Sequence, residues 1–555
     1  MKQKKTTLVF VIGLLLSTFT TYAAISQPSR KIVLDGQHLS IRDVIDVARH
    51  HKSVVIADQS LSTVTRSHQL LLSAAQNDMA IYGLTRGVGL NKDKKIFDGK
   101  QKLSPELIKL SEAYNRRSIY AHSAGVGEST NIELVRATLL IRLNTLLLGN
   151  AGVQPHVVQL YAAFLNQDIN PIIPARGSMG QADITILSHI GLAMMGEGEV
   201  IYQGKRIPAV RALAQAHLKP LRPCAKDALS IISSNAYATA ISVLAIDDLQ
   251  KLLNVSYVIF ALNMEGYNAN IEVFLPMVHQ IRAYPYQINA SRRILETFSG
   301  SYLWLPSANR ALQEPLSFKT AAQNFSIVTE ALDEVMEKIN IQMNSSDDNP
   351  AVVLTDDSQW LSKISRQYVV NDGVNRGAIL PTANYSPITW VVSLEKLNNA
   401  LSHFSHATTQ QMIHLSDPNF SHLPRFLSPN EHTLAFSAIQ KSFVSLDTEN
   451  RSMANPVSAD STPVAGDIED MSTNSALVAR RLSQIICNLH YQLGMQLMHG
   501  AQAIDLRLRD KPNLTLAKST RRLFKAYRRV VPMITEDRPL TPDINKSALF
   551  VQNYR

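Results

Sequence analysis

The chain has 555 residues, 45% hydrophobic and 18% charged, with ordinary Gly and Pro content and a formal net charge of +10. This is the composition of a folded globular chain, with mass enough for a large core or for two or more domains, and it excludes a disordered polymer. The basic residues are scattered, so the charge does not argue for nucleic acid or an anionic membrane; an anionic small substrate or simple solubility accounts for it as well.

In chain order, residues 1–24 read as a secretory signal peptide. Lys2, Lys4 and Lys5 form a basic head, Leu8 to Leu16 an apolar core, and Thr21-Tyr22-Ala23 a cleavage site, with cutting expected near Ala23 or Ala24. The apolar core is too short to span a bilayer comfortably, and no Cys follows it to carry a lipid. The mature protein is therefore expected to be exported, periplasmic or secreted, without a stable membrane anchor. Residues 25–230 form an expected N-terminal domain of mixed character. "RKIVLDG" and "KSVVIAD" are short strand candidates, "IELVRATLLIRLNTLLLG" is a helix stopping at Gly149, and "EVIYQGKRIPA" is a hairpin around Gln203-Gly204.

Residues 231–555 carry long helical patterns. "SFKTAAQNFSIVTEALDEVMEKINIQM" and "ITWVVSLEKLNNALSHFSHATTQQMIHL" each run for about seven turns or more, which points to a bundle. "RRLFKAYRR" at 521–529 reads as the wet face of a C-terminal helix. The fold class expected is mostly α, a long-helix bundle with a small mixed α/β N-terminal region. Cys224 and Cys487 lie in apolar, helix-like contexts and read as two buried thiols rather than one disulfide. His403 and His406 share a helical face, but His414 is roughly 12 Å further along the axis, so no metal site is expected there.

Gly-rich turns interrupt the helices. "IYGLTRGVGLNKDKK" (81–95) sets Tyr82 and Arg86 on a tight loop. "AHSAGVGES" (121–129) holds His122, and "RGSMGQADITILSH" (176–189) turns into an apolar helix. "AGDIEDMSTN" (465–474) puts Glu469 and Asp470 at a break before a helix. Taken singly, a Tyr packs and a Glu before a helix caps. Taken together and in this order, the motifs resemble the aromatic amino acid lyase family, the histidine and phenylalanine ammonia-lyases. "YGLTRGVG" resembles the family's Tyr-Gly-x-x-Thr-Gly-Phe-Gly loop, and "HSAGVGE" its His-x-x-Gly-x-Gly-Glu turn. "NPIIPARGSMGQADITILSHIGLAMMGEGE" resembles its Pro-x-Ile-Pro to Gly-Glu-Gly stretch. "LQEPLSFK" stands for Gln-Asp-x-Tyr-Ser-x-Arg, "GDIEDMS" for Gln-Glu-Asp-His, and "EDRPLTPDI" for the C-terminal signature.

The resemblance implies a mostly helical homotetramer whose active sites are each assembled from three subunits, and a reaction that removes a β-proton and expels an amine. It implies Tyr82 as the base and Glu469 as the acid that meets an imidazole. It also implies His122 against the substrate ring. Asn384 and Tyr385, in "TANYSP", match the Gly-Asn-Phe-His segment. In "ISSNAYA" either Ser233 or Asn235 does the polar work. Lys319 replaces the family's carboxylate-gripping arginine and holds that group as a point charge rather than a fork. Leu316 replaces an active-site tyrosine. Arg86 is an additional cation with two readings besides a surface one: it binds the carboxylate, or it lowers the pKa of Tyr82.

Family members build methylidene-imidazolone from Ala-Ser-Gly. Aligned on Asp183, those slots hold Gly180-Gln181-Ala182; aligning on Gly177-Ser178 requires a deletion, and Ser178 matches another family position. Gln181 has no hydroxyl to lose as water and Ala182 crowds the nucleophilic nitrogen, so the prosthetic group is not expected. The expected function is an exported carbon–nitrogen lyase acting without a cofactor on a histidine-like or other aromatic amino acid, or on its betaine. The alternative is an inactive homologue that binds aromatic amino acids.

Overall fold

The computed structural model describes residues 31–96 and 105–554. The expected signal peptide, residues 1–24, lies outside the described residues. Ile32–Leu34 and Val54–Ile56 pair in parallel, Ile32 opposite Val54. The helix between them, Ile41–His50, starts on a capping box: the Ser40 hydroxyl accepts from the Asp43 amide and the Asp43 carboxylate accepts from the Ser40 amide, both at 3.1 Å. The helix Ile132–Leu146 is buried on almost every side and gives way to a left-handed Gly149 (φ 84°). The expected hairpin is Glu199–Tyr202 against Lys205–Pro208, with Gln203 and Gly204 both at positive φ.

The bundle is built on Ala236–Tyr267 and Ser475–Asp510, helices of 32 and 36 residues packed along one another. Ile388–Leu415 packs on both Ser475–Asp510 and Ala321–Met343. The segment Asp227–Tyr267 is long and apolar enough to cross a membrane, but 94% of its most apolar window is buried inside the protein. It is the core of the bundle, and it is not one helix: Asp227–Ile232 and Ala236–Tyr267 are separated by a non-helical break at Ser233–Asn235. The fold is mostly α, as the helical periodicity led one to expect.

The structure departs from the sequence reading in places. The expected helix from Ser317 is interrupted at Thr320, leaving Leu316–Lys319 and Ala321–Met343; the Thr320 hydroxyl bonds back to the Leu316 carbonyl at 2.7 Å. Ala351–Leu354, Val369–Asn371 and Arg376–Leu380 form an antiparallel three-stranded sheet inside the region read as pure bundle, with the last strand central. Neither cysteine is the buried helical thiol expected: Cys487 is exposed on its helix, and Cys224 is half-buried in the turn before Asp227. Both are free.

Candidate active site

The Tyr82 loop is shaped by a buried threonine and by glycine. The Thr85 hydroxyl donates to the Met79 carbonyl (2.6 Å) and accepts from the Ile81 amide (2.8 Å), pulling the chain into a knot. A Cβ on Gly87 would stand 2.3 Å from the Asn91 carbonyl oxygen, so only glycine fits there. The knot leaves the Tyr82 hydroxyl accepting from the Gly89 amide at 2.9 Å. Burial pushes the Tyr82 pKa above 10, the Gly89 amide opposes that, and the nearby Glu469 and Tyr385 add to the rise. Tyr114, on the helix Pro105–His122, feels Tyr82 in turn.

The Arg86 guanidinium donates to the Thr85 carbonyl at 3.2 Å. Within one chain the contact that favours the Tyr82 phenolate is the Gly89 amide, and the net direction is upward. Glu469 reaches Tyr82 from a turn closed by Val464–Glu469 backbone bonds at 3.0 and 3.3 Å, and Gly466 in that turn packs on Leu90 of the Tyr82 loop.

The 176–183 loop is tied down by side chains. The Ser178 hydroxyl donates to Asp183 Oδ1 (2.6 Å) and accepts from the Gly180 amide (3.1 Å). Asp183 Oδ2 accepts from the Ala238 amide (3.0 Å) at the start of the long core helix, and the Asp183 amide donates to the Ser234 carbonyl (2.7 Å). Burial pushes the Asp183 carboxyl up to about 6, against these hydrogen bonds. From the other side the Thr473 hydroxyl donates to the Gly180 carbonyl at 2.8 Å, and the Thr473 and Asn474 amides donate to the Met179 carbonyl.

The three slots do not fit the cyclisation chemistry. Gln181 carries no β-hydroxyl. Ala182 sits at φ 66°, a left-handed conformation that strains a non-glycine residue. At Gly180, φ 86°, a Cβ would lie 2.4 Å from Thr473 Oγ1 and 2.6 and 2.8 Å from the amide nitrogens of Ser475 and Asn474. The alanine slot is thus closed by backbone. Gly180→Ala is expected to lower stability by about 1–3 kcal/mol, measured by denaturant unfolding. Installing Ala-Ser-Gly at 180–182 is expected to leave the intact mass free of any water loss.

The helix break supplies the rest. Asn235 Nδ2 donates to the Tyr385 carbonyl at 2.6 Å, and the Asn235 amide donates to Asp347 Oδ2 at 2.9 Å. Of the two candidates here, Asn235 is the one tied to Tyr385; Ser233 caps the short helix through its amide. Ser234, between them, donates to Asp347 Oδ2 at 2.8 Å. Asp347 is held in turn by the fully buried Arg142, which also binds Asp348. His122 ends the Pro105–His122 helix; its Nδ1 faces the Ser118 carbonyl at 2.7 Å, and its own carbonyl accepts from Ser188 of the helix that follows the 176–183 loop.

Within one chain Tyr82 lies within electrostatic reach of Tyr385 and Glu469, Asn235 is tied to the Tyr385 carbonyl and the 178–183 loop to Ser234 beside it, while His122 is held by Ser118 and Ser188 and Asn384 next to Tyr385 is exposed. Lys319 does not join them. Its ammonium donates to Gln313 at 3.0 Å, and Leu316 on the same short helix is 68% exposed. No hydrogen bond or ion pair among the described residues connects Lys319 to the Tyr82 group. Ser234, Asp347 and Thr473 join the site through hydrogen bonds distant along the chain, Arg142 braces Asp347 behind them, and Tyr114 feels Tyr82 electrostatically; none of the five carries a signal in the sequence.

A convergence of phenol, carboxylate and a strained Gly-rich loop at the N-terminal end of a long-helix bundle defines the aromatic amino acid lyase class. The model of that family matches residues 39–529, and the chain belongs to it. The chain is 32% identical over 519 residues to histidine ammonia-lyase of Geobacillus thermodenitrificans, covering 92% of this chain and 95% of that one. Its fold matches the crystal structure of ergothionase from Treponema denticola, described as an ergothioneine-degrading enzyme, with a TM-score of 0.85 and 36% identity over 94% of this chain and 99% of that one. Histidine ammonia-lyase from Trypanosoma cruzi, 23% identical with a TM-score of 0.80 over 94% of this chain and 93% of that one, shares the fold.

Proposed function

We propose that the protein is an exported, cofactor-free carbon–nitrogen lyase that expels trimethylamine from the betaine of a histidine-like or other aromatic amino acid. The observation that carries this reading is the 180–182 loop, which lacks the hydroxyl for cyclisation and closes the alanine slot against the backbone of Asn474 and Ser475. Ammonia is a poor leaving group, which is why an electrophile is needed to activate it. A trimethylammonium nitrogen is already cationic and fully substituted and leaves without one. In the step proposed, the Tyr82 phenolate takes a β-proton, the C–H electron pair becomes the Cα=Cβ bond, and the C–N pair departs with neutral trimethylamine. The products are an α,β-unsaturated acid and a neutral Tyr82. The ergothionase relative supports a betaine substrate.

Incubation with histidine, phenylalanine, tyrosine and their trimethyl betaines is expected to give a conjugated acid, seen by ultraviolet absorption, from a betaine and not from the parent amino acids. Turnover of a parent amino acid alone would overturn the reading. The intact mature chain is expected to have the mass of the sequence beginning at Ala24 or Ile25; a deficit of two waters within 177–183 would show the prosthetic group instead. Gln181 and Leu316 support a second reading, an inactive homologue that binds aromatic amino acids and would turn over none of these compounds.

The same proposal includes a homotetramer. Leu312 and Leu316, 87% and 68% exposed, precede Lys319 in the same segment, which one chain leaves apart from its own Tyr82. A second subunit would cover that apolar segment and bring Lys319 to a neighbouring site. Light scattering at micromolar concentration is expected to give four times the chain mass; a monomer would remove the shared site.

A further inference from the structure

Two buried amide oxygens at the site have no donor. Asn235 is fully buried, and its Nδ2 donates to the Tyr385 carbonyl at 2.6 Å, which fixes the amide plane and leaves Oδ1 buried without a hydrogen-bond partner. Gln181 Oε1 is buried and unpartnered as well. The segments that carry them are tied by the Asp183 amide and Ser234 carbonyl at 2.7 Å, so the two side chains come from either side of one backbone bond. An unsatisfied buried acceptor is costly, and native proteins retain such groups where something else answers them.

A hydrogen-bond donor, an ordered water or a positive group would answer them, and the Glu469 carboxylate and the phenols near Tyr82 favour the last. Both atoms are acceptors at the negative end of an amide dipole. The Tyr385 segment is bonded directly to Asn235, and the Tyr82 phenol lies within electrostatic reach of the Tyr385 phenol and of Glu469. Among the described residues the Glu469 carboxylate has neither an ion-pair nor a hydrogen-bond partner. A trimethylammonium spreads its charge over methyl groups, which pack on ring faces and on carbonyl oxygens and require no matched donor geometry.

We infer that Gln181 and Asn235 form the subsite for the cationic leaving group, with Gln181 offering an acceptor oxygen at the position where relatives carry their electrophile. The assignment rests on the lyase reading above and sharpens it. The nitrogen loses its positive charge as the C–N bond breaks, so these acceptors hold the ground state more strongly than the transition state. Losing them therefore raises KM and, because the ground state loses more than the transition state, does not lower kcat.

Two isosteric probes test this without turnover: glycine betaine and 3,3-dimethylbutanoate, which differ by N⁺ against C and neither of which can eliminate. Ligand-observed NMR with the full chain is expected to show the betaine binding about tenfold tighter than the carbon isostere, as one or two charge–dipole contacts would give. Gln181→Met is expected to remove most of that preference and Gln181→Glu to increase it. With a betaine that is turned over, Gln181→Met is expected to raise KM and leave kcat undiminished.

Equal affinity of the two probes for the wild type, including no binding of either at tens of millimolar, overturns the proposal. So does a Gln181→Met variant that keeps the wild-type ratio. Should Gln181→Met fail to fold, Gln181→Glu decides alone, and no gain in betaine affinity overturns it. If the wild type discriminates between the probes but eliminates no betaine, the lyase reading fails and the cation subsite stands; if it eliminates a betaine without discriminating, only the subsite falls.

Discussion

Tyr82→Phe is expected to lower kcat for the betaine substrate by about a hundredfold to ten-thousandfold, the usual worth of a positioned general base, while the dissociation constant of an unreactive analogue stays nearly unchanged. The substitution deletes one oxygen and one hydrogen bond, from the Gly89 amide, and leaves the ring in place. The pH dependence follows from the direction of the shift. Burial, Glu469 and Tyr385 hold the Tyr82 pKa above 10, and only the Gly89 amide pulls it down. A base must be deprotonated to act, so kcat/KM is expected to climb about tenfold per pH unit from neutrality until that pKa is passed. In the bound complex the substrate's own cation favours phenolate, and kcat is expected to level off at lower pH than kcat/KM. Arg86→Thr is expected to raise KM if Arg86 grips the carboxylate, and to leave the kcat/KM profile in place. A Tyr82→Phe enzyme that keeps its kcat would mean that another residue takes the proton.

Arg142→Met is expected to destabilise the fold by about 3–5 kcal/mol, the usual result of removing one partner of a buried ion pair. Arg142 is fully buried and binds Asp347 Oδ1 at 3.0 Å and Asp348 Oδ1 at 2.9 Å; without it two carboxylates remain buried. Asp347, already pushed up by burial, would protonate more readily, and its bonds to Ser234 and Asn235 would weaken. The effect therefore reaches the site. A residual Arg142→Met enzyme is expected to lose affinity for betaines, because Asn235 is no longer held. Denaturant midpoints read the first consequence and ligand titration the second. An unfolding free energy within 1 kcal/mol of wild type would show that the pair is not the brace described.

Much of the frame was legible because it depends on local chemistry. The helix Ile388–Leu415 has the limits its apolar repeat suggested, and the Gln203-Gly204 hairpin follows from residues that tolerate positive φ. The strands at 369–371 and 376–380 escaped notice although their turn, with Gly373 at φ 87°, carried a hairpin signal in "NDGVN". Long helical patterns on either side outweighed it. The break at Thr320 has no comparable signal, since a threonine inside a helical repeat is ordinary.

What the sequence determined by itself was the family, the succession of Gly-rich turns and the lack of a hydroxyl at Gln181, all of which are matters of residue identity and spacing. What only the tertiary structure decided is which groups act on one another. Thr473 reaches Gly180 across 293 residues, and Asp347 reaches Asn235 across 112. The Tyr82 hydroxyl is set by the Gly89 amide and not by Arg86, the cation nearest to it in sequence. A hydrogen bond depends on angstroms in space and a pKa on burial and neighbouring charge. Neither is a function of distance along the chain, so these assignments exist only once the helices have packed.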